Sequence, residues 1–163
     1  MALAIRRATR KDAGDINALT NWYIAHTAVN FDTEPWGLEK RQTWLEEFVA
    51  PYHCLVATRD GRFAGYACNT RFRPKAAYST STETTVYVSR DVQGHGIGPK
   101  LYDALLQRVG QEDFHRAYAV ITLPNPGSLK MHQDLGFSLV GTFDEIGRKF
   151  GEYYSVAMLE KRL

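Results

Sequence analysis

The stretch TETTVYVSRDVQGHGIGPK, residues 82–100, decides the fold of this chain. Its first half, Thr82 to Ser89, is rich in β-branched residues and predicts the central strand of a sheet. Its second half places glycines at positions 94, 96 and 98 directly before a helical apolar pattern. A glycine-rich turn at a helix start presents free backbone amides and the positive end of the helix dipole. The stretch therefore predicts an anion-binding site.

Three known phosphate-binding loops can be compared with this turn. A Walker loop needs glycine, lysine and then serine or threonine, but Pro99, Lys100 and Leu101 stand at those places. A dinucleotide fingerprint needs a third glycine where Pro99 stands. The pattern Gln-x-x-Gly-x-Gly, typical of loops that hold the pyrophosphate of coenzyme A, is matched in full by Gln93, Gly96 and Gly98. An ordinary glycine-rich turn without a ligand remains the alternative.

The predicted pyrophosphate ligands are the backbone amides of the turn, assisted by two side chains. Proline at the first helical position would lose only an amide that the helix leaves unpaired, so Pro99 is compatible with a helix that begins there. The expected binding residues of the loop are Gln93, Gly94, His95, Gly96, Ile97, Gly98 and Lys100.

The rest of the chain alternates strand and helix patterns and predicts one α/β domain spanning residues 1–163. Asp60-Gly61 predicts a hairpin turn, because both positions tolerate positive φ. Asp12 is expected to cap the first helix. The predicted strands cover residues 4–7, 53–59, 63–71, 82–89, 117–123, 137–144 and 153–161, and the predicted helices cover residues 11–30, 38–48, 100–109 and 128–135.

Composition excludes several classes of protein. Hydrophobic residues make up 44% of the 163 residues, enough for a packed core, but no apolar run approaches the roughly 18 to 20 residues that span a bilayer. The net charge is +2 with scattered basic residues, so we expect neither nucleic-acid nor membrane binding. The N-terminus lacks the pattern of a signal peptide, and Cys54 and Cys68 lie in apolar runs. We expect reduced, buried thiols and a cytoplasmic location.

A second motif follows 27 positions after Gly98. Asn125 and Ser128 form an Asn-x-x-Ser pattern before an apolar helix that ends in Leu-Gly-Phe at Phe137. Together the two motifs resemble the GCN5-related N-acetyltransferase (GNAT) superfamily. Four further stretches resemble its phosphinothricin and methionine sulfoximine acetyltransferases, so the resemblance covers nearly the whole chain. These stretches are residues 31–35, 73–78, 83–88 and 140–151.

The resemblance implies a fold and a cosubstrate. The fold is a mixed sheet of six or seven strands flanked by about four helices, in which two central parallel strands splay apart to admit acetyl-CoA. The pantetheine arm would pair with the strand edge from Val86 through Tyr87 to Val88. Asn125 would hydrogen bond the arm, with Ser128 beside it, although both residues also favour a helix cap.

The resemblance also implies catalytic roles. Glu83 would be the general base, and a backbone amide near Val86 or Tyr87 would stabilise the oxyanion. His132 occupies the position of the general acid, and its intrinsic pKa of about 6.5 suits that role. An exposed strand glutamate and a structural histidine are the alternatives. No spacing among the histidines and cysteines indicates a metal site.

The expected acceptor is the amine of a small amino-acid-like compound of the phosphinothricin, methionine sulfoximine or methionine sulfone type. Arg73 could pair with its carboxylate, and Thr80 and Thr82 would make the pocket polar. A polyamine, a peptide N-terminus or a non-catalytic acetyl-CoA-binding module are the alternatives. The resemblance further implies a homodimer. The expected acceptor-binding residues are Phe31, Glu34, Arg73 and Tyr78.

Overall fold

A computed structural model of the chain describes residues 2–163. It contains four α-helices and seven β-strands within those residues. The strands are β1 (Leu3–Arg7), β2 (Cys54–Arg59), β3 (Arg62–Arg71), β4 (Ser81–Val88), β5 (Arg116–Thr122), β6 (Ser138–Lys149) and β7 (Glu152–Arg162). The helices are α1 (Ala13–His26), α2 (Leu38–Glu46), α3 (Ile97–Val109) and α4 (Pro126–Asp134).

One mixed sheet has the strand order β1-β2-β3-β4-β5-β7-β6. Only β4 and β5 pair in parallel; all other neighbours are antiparallel. The parallel ladder holds just three residue pairs, the last of them Glu83 with Tyr118, whereas β4 continues to Val88. The two central strands therefore separate after Glu83, which confirms the predicted splayed fold.

The helices cover both faces of the sheet. Helices α3 and α4 pack on one face, where Leu101 and Leu105 meet Ala117, Ala119 and other small residues of the strands. On the other face, α1 and α2 enclose a second core around Tyr66 and its strand neighbours. Burial of apolar side chains in these two layers is the main stabilising contribution to such a domain.

Each predicted helix and strand exists, but several ends differ. Helix α1 ends at His26 rather than near Asn30, because Thr27 adopts an extended backbone and its hydroxyl bonds to the carbonyl oxygen of Tyr23. Helix α3 begins at Ile97, so Pro99 is its third residue. That position is still in the first turn, where helix amides lack partners. Strand β6 runs on to Lys149, past the predicted end at residue 144.

Asp12 does not cap α1 in the expected way. It occupies the N-cap position, but its side chain makes no cap hydrogen bond. The carboxylate instead accepts hydrogen bonds from both terminal nitrogens of Arg6 and from the amide of Thr9. These charge-assisted bonds lower the pKa of Asp12, the Arg6 bond most strongly. Asp12 thus ties β1 to the start of the helix.

No helix among the described residues is both long enough and apolar enough to cross a membrane.

Candidate active site

A cavity of about 570 Å³ occupies the gap between the splayed strands. It runs from the glycine loop at the end of β4 to Thr84, and its other side is formed by β5 and α4. The predicted residues that line it are Val86, Tyr87, Val88, Gln93, Gly94, Gly96, Ile97, Gly98, Asn125, Ser128 and His132. His95 and Lys100 are absent from its lining, and the His95 ring bonds to the carbonyl oxygen of Gln93.

The glycine loop leaves its amides open to a ligand. Gly94 and Gly96 have φ of +78° and +71°, and a Cβ added at either would meet no atom within 4 Å. Gly96 is the N-cap of α3. Gly98 is different, because a Cβ there would lie 3.3 Å from Cγ2 of Val88 and 3.6 Å from Sδ of Met131. The loop therefore fits a diphosphate at a helix N-terminus.

The free edge of β4 faces the cavity. Antiparallel β3 covers the opposite edge of β4 from Thr82 to Val88. The hydroxyl of Tyr23 donates to the carbonyl oxygen of Val88, so that carbonyl points away from β3. Because backbone groups alternate along a strand, the amide of Val86 faces the gap and that of Tyr87 faces β3. Of the two amides predicted as oxyanion donors, only that of Val86 points toward the gap.

Tyr23 is a site residue that the sequence did not reveal. It lines the cavity from α1, and its hydroxyl also accepts a hydrogen bond of 2.9 Å from Nε2 of Gln93. It thereby connects the end of β4 to the glycine loop. An aromatic residue on an amphipathic helix is most often a core residue, so no sequence signal distinguished it.

Glu83 lies on the face of β4 that α1 and α2 cover. The next two residues of the strand, Thr84 and Thr85, line the cavity. Its carboxylate makes no hydrogen bond or ion pair to any residue in the range 2–163. Burial raises the pKa of Glu83. An unpartnered carboxylate with a raised pKa suits proton abstraction.

His132 is only 4% exposed and packs edge-on against the stacked rings of Tyr102 and Phe137. Its Nδ1 lies 2.7 Å from the carbonyl oxygen of Ser128, so Nδ1 carries the proton and donates it to that oxygen. In the neutral ring, Nε2 is then an acceptor. Burial lowers the pKa of His132 below its usual value, the Ser128 bond opposing this. The ring is therefore neutral at pH 7.

Asn125 and Ser128 both act in the cap of α4. Oδ1 of Asn125 accepts a hydrogen bond of 3.2 Å from the amide of Ser128. Both residues also line the cavity, so a ligand there can contact them although they form the helix cap. The cap fixes the start of the helix that carries His132.

The predicted acceptor residues fall into two groups, neither of which lines the cavity. Arg73 lies over the rings of Phe72 and Tyr78, at 5.1 and 5.6 Å from their centroids. Phe72 stacks on Tyr118, the ladder partner of Glu83. Arg73 and Tyr78 thus belong to an aromatic cluster next to Glu83.

Phe31 and Glu34 lie in the exposed connection between α1 and α2. The Phe31 ring packs against Gly147 of β6 so closely that a Cβ at Gly147 would overlap it. Asn30, which precedes it, donates to the hydroxyl of Tyr87 and accepts at its carbonyl oxygen from Lys149. The connection is therefore anchored to β4 and to β6.

The expectation for Thr82 was wrong. Thr82 is fully buried and its hydroxyl donates to the carbonyl oxygen of Thr70. Because side chains alternate along a strand, it points to the face opposite Glu83 and adds nothing to an acceptor pocket there. Thr80 lies exposed just before β4.

Cys54 and Cys68 are buried free thiols, as predicted. Burial raises the pKa of Cys68 to about 12, so its thiol is protonated and unreactive at neutral pH. Within residues 2–163, no group of three His, Cys, Asp or Glu side chains is arranged to hold a metal ion.

These features define a class of protein. A sheet that splays after a half-buried glutamate, a glycine loop with open amides and a free strand edge between them fit an acyl-CoA thioester. A family model for the "Acetyltransferase (GNAT) family" matches residues 16–137. The chain belongs to this family, and it is an acetyl-CoA-dependent N-acetyltransferase.

Similar proteins extend over almost the whole chain. The "Phosphinothricin N-acetyltransferase" of Streptomyces coelicolor is 43% identical over 98% of this chain and 95% of its own length. The "L-methionine sulfoximine/L-methionine sulfone acetyltransferase" of Pseudomonas aeruginosa is 29% identical over 100% and 96%. A crystal structure of a GNAT superfamily phosphinothricin acetyltransferase from Sinorhizobium meliloti in complex with AcCoA is 27% identical over 100% and 89%, with a TM-score of 0.95.

Proposed function

We propose that this enzyme transfers the acetyl group of acetyl-CoA to the amine of a small amino-acid-like acceptor. The observation that carries the proposal is the position of Glu83, whose carboxylate is unpartnered. The next residue, Thr84, lines the cavity, and the ladder partner of Glu83, Tyr118, stacks on Phe72 beside Arg73. Relatives that acetylate phosphinothricin and methionine sulfoximine support the choice of acceptor class.

Binding of the donor uses backbone more than side chains. The amides of Gly94, Gly96 and Gly98 hold the diphosphate, and the free edge of β4 pairs with the amide chain of the pantetheine arm. Acetyl-CoA supplies a thioester whose carbonyl carbon is open to attack by an amine. The gap-facing amide of Val86 donates to the thioester oxygen as negative charge develops there.

Proton transfer is divided between two groups on opposite faces of the sheet. Glu83 takes a proton from the acceptor's ammonium group, because its raised pKa lies nearer to that of an amine than an exposed carboxylate's would. His132 returns a proton to the departing sulfur. Since its ring is neutral with Nδ1–H bonded to Ser128, His132 accepts at Nε2 the second proton, which the attacking nitrogen loses as it bonds to the thioester carbon, and donates it to the departing sulfur, while the proton taken by Glu83 passes to solvent.

The acceptor's carboxylate pairs with the Arg73 guanidinium. Arg73→Ala should therefore raise KM for amino-acid acceptors about tenfold or more, the effect of losing roughly 1.5 kcal/mol of a charge-assisted hydrogen bond. The KM for acetyl-CoA should change little. The measurement is steady-state release of coenzyme A, followed with a thiol reagent, for amino acids and for their decarboxylated amines.

Equal use of amino acids and of amines without a carboxylate by the wild type would refute the Arg73 clamp. It would favour a polyamine or a peptide N-terminus as the acceptor. Binding of acetyl-CoA without release of coenzyme A, across the whole amine panel, would favour a non-catalytic binding module.

We also propose a homodimer formed through the β6–β7 hairpin. Strand β6 is at the edge of the sheet, and the hairpin carries six large apolar side chains that are 43% to 61% exposed. Exposed large apolar side chains in this number on one hairpin are typical of an interaction surface. The six residues are Leu139, Val140, Phe143, Ile146, Phe150 and Tyr153.

Ile146→Glu should convert a dimer into a monomer, because a charge introduced among these apolar side chains would lose its water on association. Light scattering coupled to size exclusion measures the mass of each species. A wild type with the mass of one chain at micromolar concentration would contradict the dimer. The two buried free cysteines fit a reducing compartment, so we place the enzyme in the cytoplasm.

A further inference from the structure

The cavity closes at Thr84. This residue is the first of β4 beyond the last backbone pair with β5, which joins Glu83 and Tyr118. It is 3% exposed and lines the cavity together with Ala119 of β5. Its side chain points to the face opposite Glu83, which is the face that α3 and α4 cover. Thr84 thus forms the floor of the gap.

Two hydrogen bonds fix the Thr84 side chain. Its hydroxyl lies 3.2 Å from the carbonyl oxygen of Tyr118 and donates to it. Because that proton is used, the hydroxyl of Tyr102, 2.6 Å away, donates to Thr84 in turn. The first of these bonds links β4 to β5 at the point where their backbone ladder stops. The Thr84 side chain therefore holds the two strands together at the apex of the splay.

Tyr102 cannot move aside to make room. It is fully buried, and its ring stacks on Phe137 at 5.8 Å and contacts His132 at 4.9 Å. Close-packed interiors yield little to an added methylene group. The floor formed by Thr84 therefore has a fixed depth.

The donor must enter with its acyl group toward this floor. The glycine loop holds the diphosphate at the far end of β4, so the thioester end reaches the residues next to Thr84. The acceptor approaches from the side of Glu83, which leaves the acyl chain to point toward the other face. There it meets the methyl and hydroxyl groups of Thr84.

We propose that Thr84 sets the length of the acyl group, so that the enzyme accepts acetyl-CoA and rejects propionyl-CoA and longer acyl-CoA thioesters. This inference rests on the proposed acetyl transfer and adds a specificity residue to it. One methylene group in a fitted apolar pocket changes kcat/KM by roughly 10-fold to 200-fold.

The test compares kcat/KM for propionyl-CoA and acetyl-CoA in the wild type and in Thr84 variants. Thr84→Ala removes two heavy atoms from the floor and should raise the propionyl-to-acetyl ratio about tenfold or more. Thr84→Val keeps the volume but loses both hydrogen bonds, so its ratio should stay near that of the wild type. This pair separates the volume of the side chain from its hydrogen bonds.

Thr84→Ala leaves the buried Tyr102 hydroxyl without its hydrogen-bond partner, which costs stability. A second variant is therefore included in case Thr84→Ala does not fold. Thr84→Ala combined with Tyr102→Phe removes both polar groups and restores an apolar contact. Thr82→Ala is the matched control, because Thr82 is a buried threonine on the same face of β4 outside the cavity. Its propionyl-to-acetyl ratio should equal that of the wild type.

Equal kcat/KM for the two donors in the wild type would overturn the role of Thr84. So would a wild-type propionyl-to-acetyl ratio in both Thr84→Ala and the double variant Thr84→Ala/Tyr102→Phe. Calorimetric Kd values for acetyl-CoA and propionyl-CoA give a separate measure of the discrimination in donor binding, which needs no acceptor. Failure of the proposed acetyl transfer would instead appear as no coenzyme A release from acetyl-CoA in the wild type, so the two failures are distinguishable.

Discussion

Glu83→Gln lowers kcat by about 10²-fold to 10⁴-fold, the usual contribution of a general base. The amide keeps the size of the carboxyl group but takes no proton from the acceptor. Burial raises the pKa of Glu83, and the base form exists only above that pKa. The rate of the wild type should therefore rise as pH increases through the raised value, and this step should disappear from the kcat profile of the variant.

The affinity for acetyl-CoA provides the control for Glu83→Gln, because Glu83 does not line the cavity that we propose as the donor site. Calorimetry should give the wild-type Kd. An unaltered kcat and pH profile in the variant would reduce Glu83 to a structural residue.

His132→Gln separates the two proton-transfer groups. If His132 returns the proton to sulfur, the variant should lose kcat while its KM for the acceptor stays the same. A loss of thermal stability with a normal kcat would mean that the ring only packs against Tyr102 and Phe137.

Gly96→Val should weaken acetyl-CoA binding by about 10²-fold or more. Gly96 has φ of +71°, a conformation that a β-branched residue adopts only with strain, and its side chain would project into open space beside the diphosphate amides. Loss of two charge-assisted hydrogen bonds at roughly 1.5 kcal/mol each corresponds to that factor. Calorimetry with acetyl-CoA measures the change in Kd.

Gly61→Val is the matched control for backbone strain. Gly61 has φ of +78°, its Cβ would also meet no atom within 4 Å, and it lies in the turn between β2 and β3, away from the cavity. This variant should lose thermal stability but keep the wild-type Kd. A Kd for Gly96→Val as tight as that of the control would exclude the glycine loop as the diphosphate site.

The central strand and the glycine loop were predictable because they depend on residue type within short range. β-Branched residues favour strands, and only glycine enters the left-handed region without cost, as Gly94 and Gly96 do. The positions of Asn125 and Ser128 at a helix cap follow from the same local chemistry.

Features that depend on register were not predictable. The face to which Thr82 points, and the choice of Val86 over Tyr87 as the gap-facing amide, follow from how β4 pairs with β3. The sites of Tyr23 and Thr84 depend on contacts with residues 65 and 34 positions away. Such contacts form only when distant segments meet, so no local pattern reports them.

The most direct test of the account is transfer of labelled acetyl from acetyl-CoA to a small amino acid by the purified enzyme. We expect mass spectrometry to find the label on the α-amine of phosphinothricin, methionine sulfoximine or methionine sulfone, with one coenzyme A released for each acetylated product. Release of coenzyme A without label on any amino-acid amine, or no release above the uncatalysed rate, would contradict acetyl transfer to a small amino-acid-like acceptor.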